Sequence, residues 1–410
     1  MADVSWTIRH YDRFGNAINA NYSGYSDFGT SNQIYHATDR VMDFNLNGID
    51  TIGFSLYLDD PMAAQIRRLA SFIKVWRNVP GYSDASNTPC FAGIVANHRK
   101  DGAANTMQVQ AYSPLWRLQT RFHIANHYLK TNPDTGADYK QSELIWRLIK
   151  FISNAWGIGS PISYPGIDQG TFYDVVSEIT MAPYFQPKGA NVWTEIFDGI
   201  LARAASVDII PRYHHTGGNA RLMYLDTALK RGSDKSGSVS FEFHTSTPSN
   251  CDNVVEDEQV FPNKFGNYVW AVGMGGPNSG KLARAENASS TGEGYNAIGI
   301  YMVKNDYRDE KRLGISGPPP THLRANAVND LARAIVPDLN YSVEVSPAAN
   351  IYYGKDFSIG DVVNLNASKG ALSVSNVKQR VYECTLAISD ANIETISPKI
   401  AKDFTGKVAS

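Results

Sequence analysis

The stretch Ile49-Asp50-Thr51-Ile52-Gly53-Phe54-Ser55-Leu56 decides the fold of this 410-residue chain. Its apolar residues Ile52, Phe54 and Leu56 alternate with small or polar ones, and this period of two is typical of a half-buried β-strand. Asn47-Gly48, a strong hairpin signal, directly precedes it. The stretch is therefore predicted to form a hairpin with the strand-like residues before Asn47.

A short helix is predicted directly after this strand. Asp59-Asp60-Pro61 would open it, because proline suits the first helical position and the carboxylates can cap free N–H groups. The carboxylates also complement the positive end of the helix dipole. The apolar face of this helix would carry Met62, Ile66, Leu69 and Ala70.

Three further strands are predicted at residues 72–77, 90–95 and 107–112. Their order, with the helix between the first strand and the rest, indicates a small barrel or curled sheet plugged by one helix. Together with the strand-like residues near the N-terminus, they define a first domain at residues 1–115.

A helical, loop-rich domain is predicted at residues 116–205. Ser142 is expected to cap one helix and Asn191 a second. The apolar positions of the first helix, which would stop at Gly157, are Leu144, Ile145, Leu148, Ile149, Ile152 and Trp156. Those of the second helix are Trp193, Ile196, Phe197, Ile200 and Leu201.

Strand patterns return in the remainder of the chain. They predict a β-rich middle domain at 206–316, a linker and helix at 317–338, a second small barrel at 339–400 and a tail at 401–410. The linker begins with Gly317-Pro318-Pro319-Pro320. The predicted fold class is α+β, mainly β, with two tube-like β-barrel domains at the ends flanking mixed α/β middle domains.

The composition argues against several classes of protein. The formal net charge is -2, whereas a dedicated nucleic-acid binder is usually strongly basic. Cys90, Cys251 and Cys384 are odd in number and far apart, which argues against a disulfide framework or zinc ribbon. We expect no signal peptide and no transmembrane helix, because the N-terminus lacks a basic and apolar leader and no long apolar run occurs.

One segment resembles a phosphate-binding loop. Gly275 and Gly280-Lys281 have the spacing of that motif and follow an apparent strand, but Leu282 stands where magnesium binding requires Ser or Thr. The polar residues that follow do not have the apolar face of a helix whose dipole could hold phosphate. The segment is instead predicted to be an exposed hairpin loop.

Two groups of polar residues could carry chemistry. His123 and His127 would share a face of a helix, and His214-His215 could add a ligand, but no Glu follows His123 as in a metalloprotease. The acidic residues Asp252, Glu256, Asp257 and Glu258 could serve a glycosidase, although such a group is more often a solvated loop. The Gly-x-Ser-x-Gly motif of many hydrolases is not found in the sequence. No catalytic, cofactor-binding or metal-binding residue is therefore assigned.

Aromatic residues in polar loops could stack on sugar rings or anchor an interface, although part of the set could equally lie in the core. They are Tyr22, Tyr25, Phe28, Tyr164, Tyr173 and Tyr184.

Four short motifs carry a family resemblance. Leu58-Asp59-Asp60-Pro61, Val75-Trp76-Arg77 and Phe91-Ala92-Gly93-Ile94-Val95 resemble the N-terminal barrel of phage tail hub proteins, closest to minor tail proteins of actinobacterial siphophages. Ile359-Gly360-Asp361-Val362-Val363 resembles the Gly-Asp-x-Val turn of that family. Two barrels flanking two mixed domains is also the layout of the family.

The resemblance implies a structural virion protein without enzymatic activity or cofactors. Three copies would form a pseudo-sixfold ring that joins the hexameric tail tube to a three-fold tip and encloses the DNA channel. Expected partners are the tube or distal tail protein, other tip and central fibre proteins and the tape measure protein. The protein would be made in the host cytoplasm and reside at the virion tail tip, and DNA would pass without specific binding.

A second hypothesis is a tail-associated protein that binds or degrades cell-wall glycans. It would use the aromatic loops for sugar binding, with His123, His127 and the acidic residues 252–258 as candidates for chemistry.

Overall fold

The three-dimensional structure is a computed structural model. It describes residues 4–22, 29–82, 88–121, 127–129, 140–154, 167–169, 184–186, 191–201, 207–214, 222–259, 268–273, 282–286, 301–307 and 338–401.

The N-terminal part, as far as it is described, is built from nine strands. They are β1 Ser5–Asp12, β2 Ala20–Asn21, β3 Thr30–Ser31, β4 Gln33–Ile34, β5 Thr38–Asn45, β6 Thr51–Tyr57, β7 Ser71–Asn78, β8 Phe91–Asp101 and β9 Thr106–Tyr112. A 3-10 helix at Pro114–Thr120 follows them.

Within the described residues, the middle of the chain contributes two helices and ten strands. The helices are α1 Gln141–Asn154 and α2 Val192–Thr194, which continues as a π-helix at Glu195–Leu201. The strands are β10 His127–Leu129, β11 Ile167–Gln169, β12 Tyr184–Gln186, β13 Asp208–Tyr213, β14 Met223–Ala228, β15 Ser240–His244, β16 Cys251–Gln259, β17 Tyr268–Gly273, β18 Leu282–Glu286 and β19 Tyr301–Tyr307.

The described C-terminal residues, 338–401, add four strands and a 3-10 turn at Pro347–Ala349. They are β20 Asp338–Val345, β21 Val362–Lys369, β22 Leu372–Ile388 and β23 Glu394–Ala401. The predicted α+β, mainly β class is confirmed. The two barrels and the domain bounds remain predictions.

One sheet contains strands from both ends of the chain. Its order is β16-β20-β23-β22-β5-β6-β9-β8-β7-β1-β4, with β21 added on β22 and β15 on β21. Strands β15 and β16, from the middle of the sequence, thus pair with C-terminal strands. The core alternation predicted for β6 holds, since Ile52, Phe54 and Leu56 are all buried.

The predicted helix after β6 is wrong. Residues 58–70 form consecutive turns. The Asp60 carboxylate does accept a hydrogen bond from Met62 N at 2.7 Å, so the capping chemistry operates on a turn rather than on a helix. Met62 and Ile66 are buried, but Leu69 is 52% exposed and has a φ of 62°, which ends any helical path.

The two predicted helices of the middle domain are present. In α1, Leu144, Ile145, Leu148 and Ile149 are fully buried. Its start differs from the prediction, because Ser142 lies inside the helix, and the Glu143 side chain instead accepts from Lys140 N at 3.1 Å.

Asn191 caps α2 as predicted. Its side chain accepts a hydrogen bond from Thr194 N at 3.2 Å. Ile196, Phe197 and Leu201 are buried. The structure does not describe the side chains of residues 150–154 and 198–200. It also leaves out residues 155–157 and the helix predicted after residue 320. Among the described residues, no helix is both long and apolar enough to span a membrane.

Candidate functional site: the junction between the two ends of the chain

The junction is the set of contacts that joins the N-terminal strands β1–β9 to the C-terminal strands β20–β23 and to β13. Its backbone component is the antiparallel pairing of β5 with β22, from Arg40 opposite Ile388 to Asn45 opposite Glu383. Thr385 Oγ1 donates to Asp43 Oδ1 at 2.6 Å across this seam. The pairing makes one continuous sheet from strands more than three hundred residues apart in sequence.

A buried ion pair lies across the same junction. Glu394 of β23 accepts from Arg77 Nε of β7 at 2.7 Å, from Arg77 Nη2 and from Trp6 Nε1 of β1 at 2.9 Å. Arg77 Nη1 donates to the carbonyl of Tyr353 at 2.6 Å. Burial opposes the Arg77 charge, but the hydrogen bonds and charge of Glu394 outweigh it and raise the pKa of Arg77.

A second polar cluster joins the β5–β6 turn to β13 and β22. The Asn47 side chain donates to Asp208 Oδ1 and accepts from Ile209 N, each at 2.8 Å. Arg380 of β22 donates to the other Asp208 oxygen, and that oxygen also accepts from Arg231 N at 2.7 Å. Every acceptor oxygen of this buried carboxylate is therefore satisfied from a different segment.

Asp50 and Tyr213 form the third connection. Tyr213 donates its hydroxyl to Asp50 Oδ2 at 2.6 Å, and Asn45 N donates to Asp50 Oδ1 at 2.9 Å. Burial raises the pKa of Asp50 and raises that of Tyr213 well above its usual value, while the Tyr213 hydrogen bond and the Arg231 charge favour the Asp50 carboxylate. The pair ties the turn before β6 to the last residue of β13.

Two glycines allow the backbones to meet beside this cluster. Gly232 and Gly360 have φ values of 89° and 92°, and a Cβ on Gly232 would lie 2.3 Å from the Gly360 carbonyl carbon. Asp361 fixes the approach by accepting from Ser233 N at 2.6 Å and from Ser358 N at 2.8 Å. This geometry is the physical role of the Gly-Asp turn identified in the sequence.

A buried lysine lies between β7 and the strand end at residue 214. Lys74 is fully buried, and its Nζ donates to the His214 carbonyl at 3.2 Å and lies 5.2 Å from the centre of the Tyr11 ring. Burial lowers the pKa of Lys74 to about 8. Like the contacts described above, this one joins two distant segments of the chain. The polar groups of the junction thus hold strands of the protein against one another.

Only two of the histidines proposed as metal ligands, His127 and His214, lie in the described part of the chain. His123 and His215 lie outside the described residues, and His127 is in strand β10 rather than a helix. His214 is buried, and its ring packs on Tyr224 with centroids 3.9 Å apart. Across the part of the chain that is described, no group of three His, Cys, Asp or Glu side chains could hold a metal ion.

The acidic group lies on a strand, so the expected loop is wrong. Residues 252–258 belong to β16, which pairs with β20. Asp252, Glu256 and Asp257 are exposed. The Gly275–Lys281 loop lies outside the described residues, but β17 and β18 on either side of it pair antiparallel, as a hairpin requires.

Of the loop aromatics, Tyr22 belongs to the core. It is fully buried, and its hydroxyl lies 3.3 Å from Asp60 Oδ1. Tyr25, Phe28, Tyr164 and Tyr173, and the side chain of Tyr184, lie outside the described parts of the chain. The three cysteines are free, and burial raises the pKa of Cys90 and of Cys251 to about 12.

Sequence reasoning found the two turns of the junction but not its pairs. Asn47-Gly48 and Gly360-Asp361 were recognisable as turn signals, and Arg77 lay in a recognised strand. Glu394, Asp208 and Arg380 gave no signal, because their partners are distant in sequence.

Comparisons with known proteins agree with this architecture. The structure is similar to the tail protein from Neisseria meningitidis MC58, at 10% identity and a TM-score of 0.57, covering 98% of each chain. The chain has the fold of phage tail proteins. It is also similar to the prophage MuSo2 43 kDa tail protein from Shewanella oneidensis, at 10% identity and a TM-score of 0.51, covering 98% of this chain and 100% of that one.

A third similar structure comes from the Francisella PdpA-VgrG complex, half-lidded. The TM-score is 0.50 at 10% identity, with 100% of this chain and 60% of that chain covered. No protein family matches the chain by sequence, and no curated protein does.

Proposed function

We propose that this protein is a tail hub: three copies form a ring at the distal end of a phage tail, between the tail tube and the tip. The fold shared with two tail proteins over nearly the whole chain supports a structural role in a tail. The similar Francisella structure comes from a complex that contains VgrG. This similarity supports the proposal that the present protein also works in an assembly with other proteins.

The observation that carries the proposal is the β5–β22 seam. A trimer can match a hexameric tube only if each chain presents two similar units at a fixed relative orientation, so that closed rotational symmetry gives six units in one ring. Six successive residue pairs of antiparallel ladder, from Arg40–Ile388 to Asn45–Glu383, fix the two ends of this chain against each other. The Arg77–Glu394 pair is a second contact between the same two ends of the chain.

The finer details of the proposal follow from the resemblance described above. They are a siphophage tip, a pseudo-sixfold ring enclosing the DNA channel, contacts with tube, distal tail, fibre and tape measure proteins, and a location at the virion tail tip. The formal charge of -2 suits a channel that DNA must leave, since phosphate attraction would slow its passage.

The test is the particle mass by light scattering over a range of concentrations, followed by negative-stain imaging. Three chains of 45.1 kDa per particle and a ring with a central hole are expected. A strict monomer without rings, alone or with purified tail tube, would overturn the proposal. Release of sugars from purified cell wall by that monomer would favour the glycan hypothesis instead.

A further inference from the structure

Two exposed apolar side chains lie near each other at one end of the β1–β7 pair. The last residues paired there are Asp12 and Ser71. Phe14 follows Asp12 by two residues and is 58% exposed, and Leu69 precedes Ser71 by two residues and is 52% exposed. Consecutive Cα atoms are about 3.8 Å apart, so the Cα atoms of Phe14 and Leu69 are separated by at most about 20 Å. One partner surface of ordinary size can therefore contact both side chains.

Hydrogen bonds fix the two turns that carry these side chains. In the first turn, Asp12 Oδ1 accepts from Phe14 N and from Asn16 N, each at 2.8 Å. In the second turn, Leu69 N donates to the Val95 carbonyl at 2.7 Å, and Leu69 has a φ of 62°. This left-handed backbone is rare for a bulky residue, and strain of this kind is concentrated at functional sites. Because both turns are ordered before a partner binds, the entropic cost of binding is reduced.

The same two turns carry positive charge. Arg13 lies beside Phe14, with its Cζ atom 4.7 Å from the centre of the Phe14 ring. Arg67 and Arg68 directly precede Leu69, and all three arginines are exposed. We refer to these five residues as the Phe14–Leu69 patch. The patch carries three positive charges, in a chain whose formal net charge is -2, and one aspartate in the first turn offsets part of them.

The patch lies at the end of the sheet away from the contacts with β13. Strands β1, β7, β8, β9 and β6 pair antiparallel in that order, so β1 and β6 run in the same direction. The patch follows the end of β1, whereas the turn at Asn47 and Asp50, which contacts β13, precedes the start of β6. A partner that binds the patch therefore need not displace the contacts with β13.

We propose that the Phe14–Leu69 patch binds another protein of the tail, through a surface on that protein which carries acidic side chains around an apolar one. Phenylalanine and arginine are enriched at protein interfaces, and complementary charges there select the right partner. The phosphate backbone of DNA would match the arginines but offers no apolar surface to Phe14 and Leu69. The inference rests on the proposed hub and names one docking surface of it.

The test is complementation in cells in which the gene for this protein is inactivated and the other tail genes are expressed. Completed tails are counted by electron microscopy, and the wild-type protein should restore them. Phe14→Ser with Leu69→Gly in one protein, and Arg67→Glu with Arg68→Glu in another, should each reduce the number of tails by about tenfold or more. All four side chains are exposed and glycine accepts the left-handed φ, so the unfolding temperature and the particle mass should not change.

Matched controls change the same kinds of residue elsewhere on the surface. Val255→Ser removes an apolar side chain that is 49% exposed, and Lys355→Glu with Lys369→Glu reverses two exposed positive charges. Both control proteins should restore tails to the wild-type number. A loss in the controls as large as that in the patch variants would overturn the inference.

A suppressor selection examines the chemistry of the partner. Starting from the protein with Arg67→Glu and Arg68→Glu, restored tails should carry acidic-to-basic changes in another tail protein, because opposite charges then face each other again. Such changes within this chain, or loss of the trimer in the patch variants, would assign the patch to a contact between copies and overturn the inference. Binding of a short duplex DNA by the wild-type protein but not by the arginine variant would overturn it in favour of nucleic acid.

The inference and the proposed function fail in different ways. Full restoration of tails by both patch variants would overturn the inference and leave the hub intact. Tails that form without the protein, or a wild-type chain that forms no ring alone or with tail tube, would instead overturn the proposed function.

Discussion

Arg77 and Glu394 form an ion pair that joins strand β7 of the N-terminal part to β23, the last strand that the structure describes. Their side chains are 5% and 2% exposed, and Arg77 Nε lies 2.7 Å from Glu394 Oε1. Burying two charges is costly, so the pair itself adds little net stability. Removing either partner, however, leaves the other charge buried and uncompensated, which is strongly destabilising. The pair therefore favours the arrangement in which the two strands meet.

Glu394→Gln should therefore lower the free energy of unfolding by about 3–5 kcal/mol, measured by denaturant titration. Arg77→Met combined with Glu394→Gln should be less destabilised than the sum of the single changes. The control is Lys399→Met, which breaks the partly exposed Lys399–Glu383 pair and should cost less than about 1 kcal/mol. Equal losses from the buried and the exposed pair would contradict this assignment.

Asn47→Asp should be strongly destabilising, although it changes the side chain by one atom. Asn47 Nδ2 donates to the buried Asp208 carboxylate at 2.8 Å, and an oxygen there would repel it. We expect a loss of about 2–3 kcal/mol or more in the free energy of unfolding. Asn105 is the matched control, because its backbone φ of 51° is close to that of Asn47 but its side chain is exposed. Asn105→Asp should be nearly neutral in the same titration.

The contact between Gly232 and Gly360 predicts a different pattern. Gly360→Ala would place a Cβ 2.3 Å from the Arg231 carbonyl oxygen, so the junction would have to separate. A loss of several kcal/mol is expected from this clash and from the left-handed φ together. Gly370 also has a positive φ, 62°, but a Cβ there would meet open space. Gly370→Ala should therefore lower the free energy of unfolding by only about 1 kcal/mol. Similar thermal unfolding temperatures for the two variants would refute the close approach.

His10 should make stability depend on pH. Its ring is buried, with Nε2 2.6 Å from Ser71 Oγ, and burial lowers its pKa from 6.5 to about 4. Between pH 4 and pH 6.5, His10 therefore binds a proton more readily in the unfolded chain than in the folded one. The contribution of neutral His10 is complete above pH 6.5 and decreases as pH falls toward 4, by about 3 kcal/mol in total.

The measurement is the free energy of unfolding at pH 7.5 and pH 4.5. His10→Gln should reduce the difference between the two values, because glutamine does not titrate. The exposed His98 is the control position, and His98→Gln should keep the wild-type difference. A His10 variant with the full wild-type difference would contradict the burial of a neutral ring.

The strands could be predicted because their signals are local. Ile52, Phe54 and Leu56 alternate within one segment, and Leu144 to Ile149 repeat at helical spacing, so both patterns predicted the observed burial. The turn segment 58–70 has the sequence signals of a helix, because aspartate and proline open turns and helices with the same hydrogen bonds. Asp60 accepts from Met62 N in a turn as it would in a helix. The left-handed backbone of Leu69, which is incompatible with a helix, carries no sequence signal.

The sequence by itself determined the mainly β class, the alternation of β6 and the turns at Asn47 and Gly360. Each depends on backbone preferences and apolar spacing within about ten residues. Only the tertiary structure decided that β5 pairs with β22 and that Arg77 meets Glu394. Strand edges present the same N–H and C=O groups everywhere, so local sequence cannot specify a distant partner. The choice depends on which pairing satisfies the buried charges and packs both ends of the chain into one core.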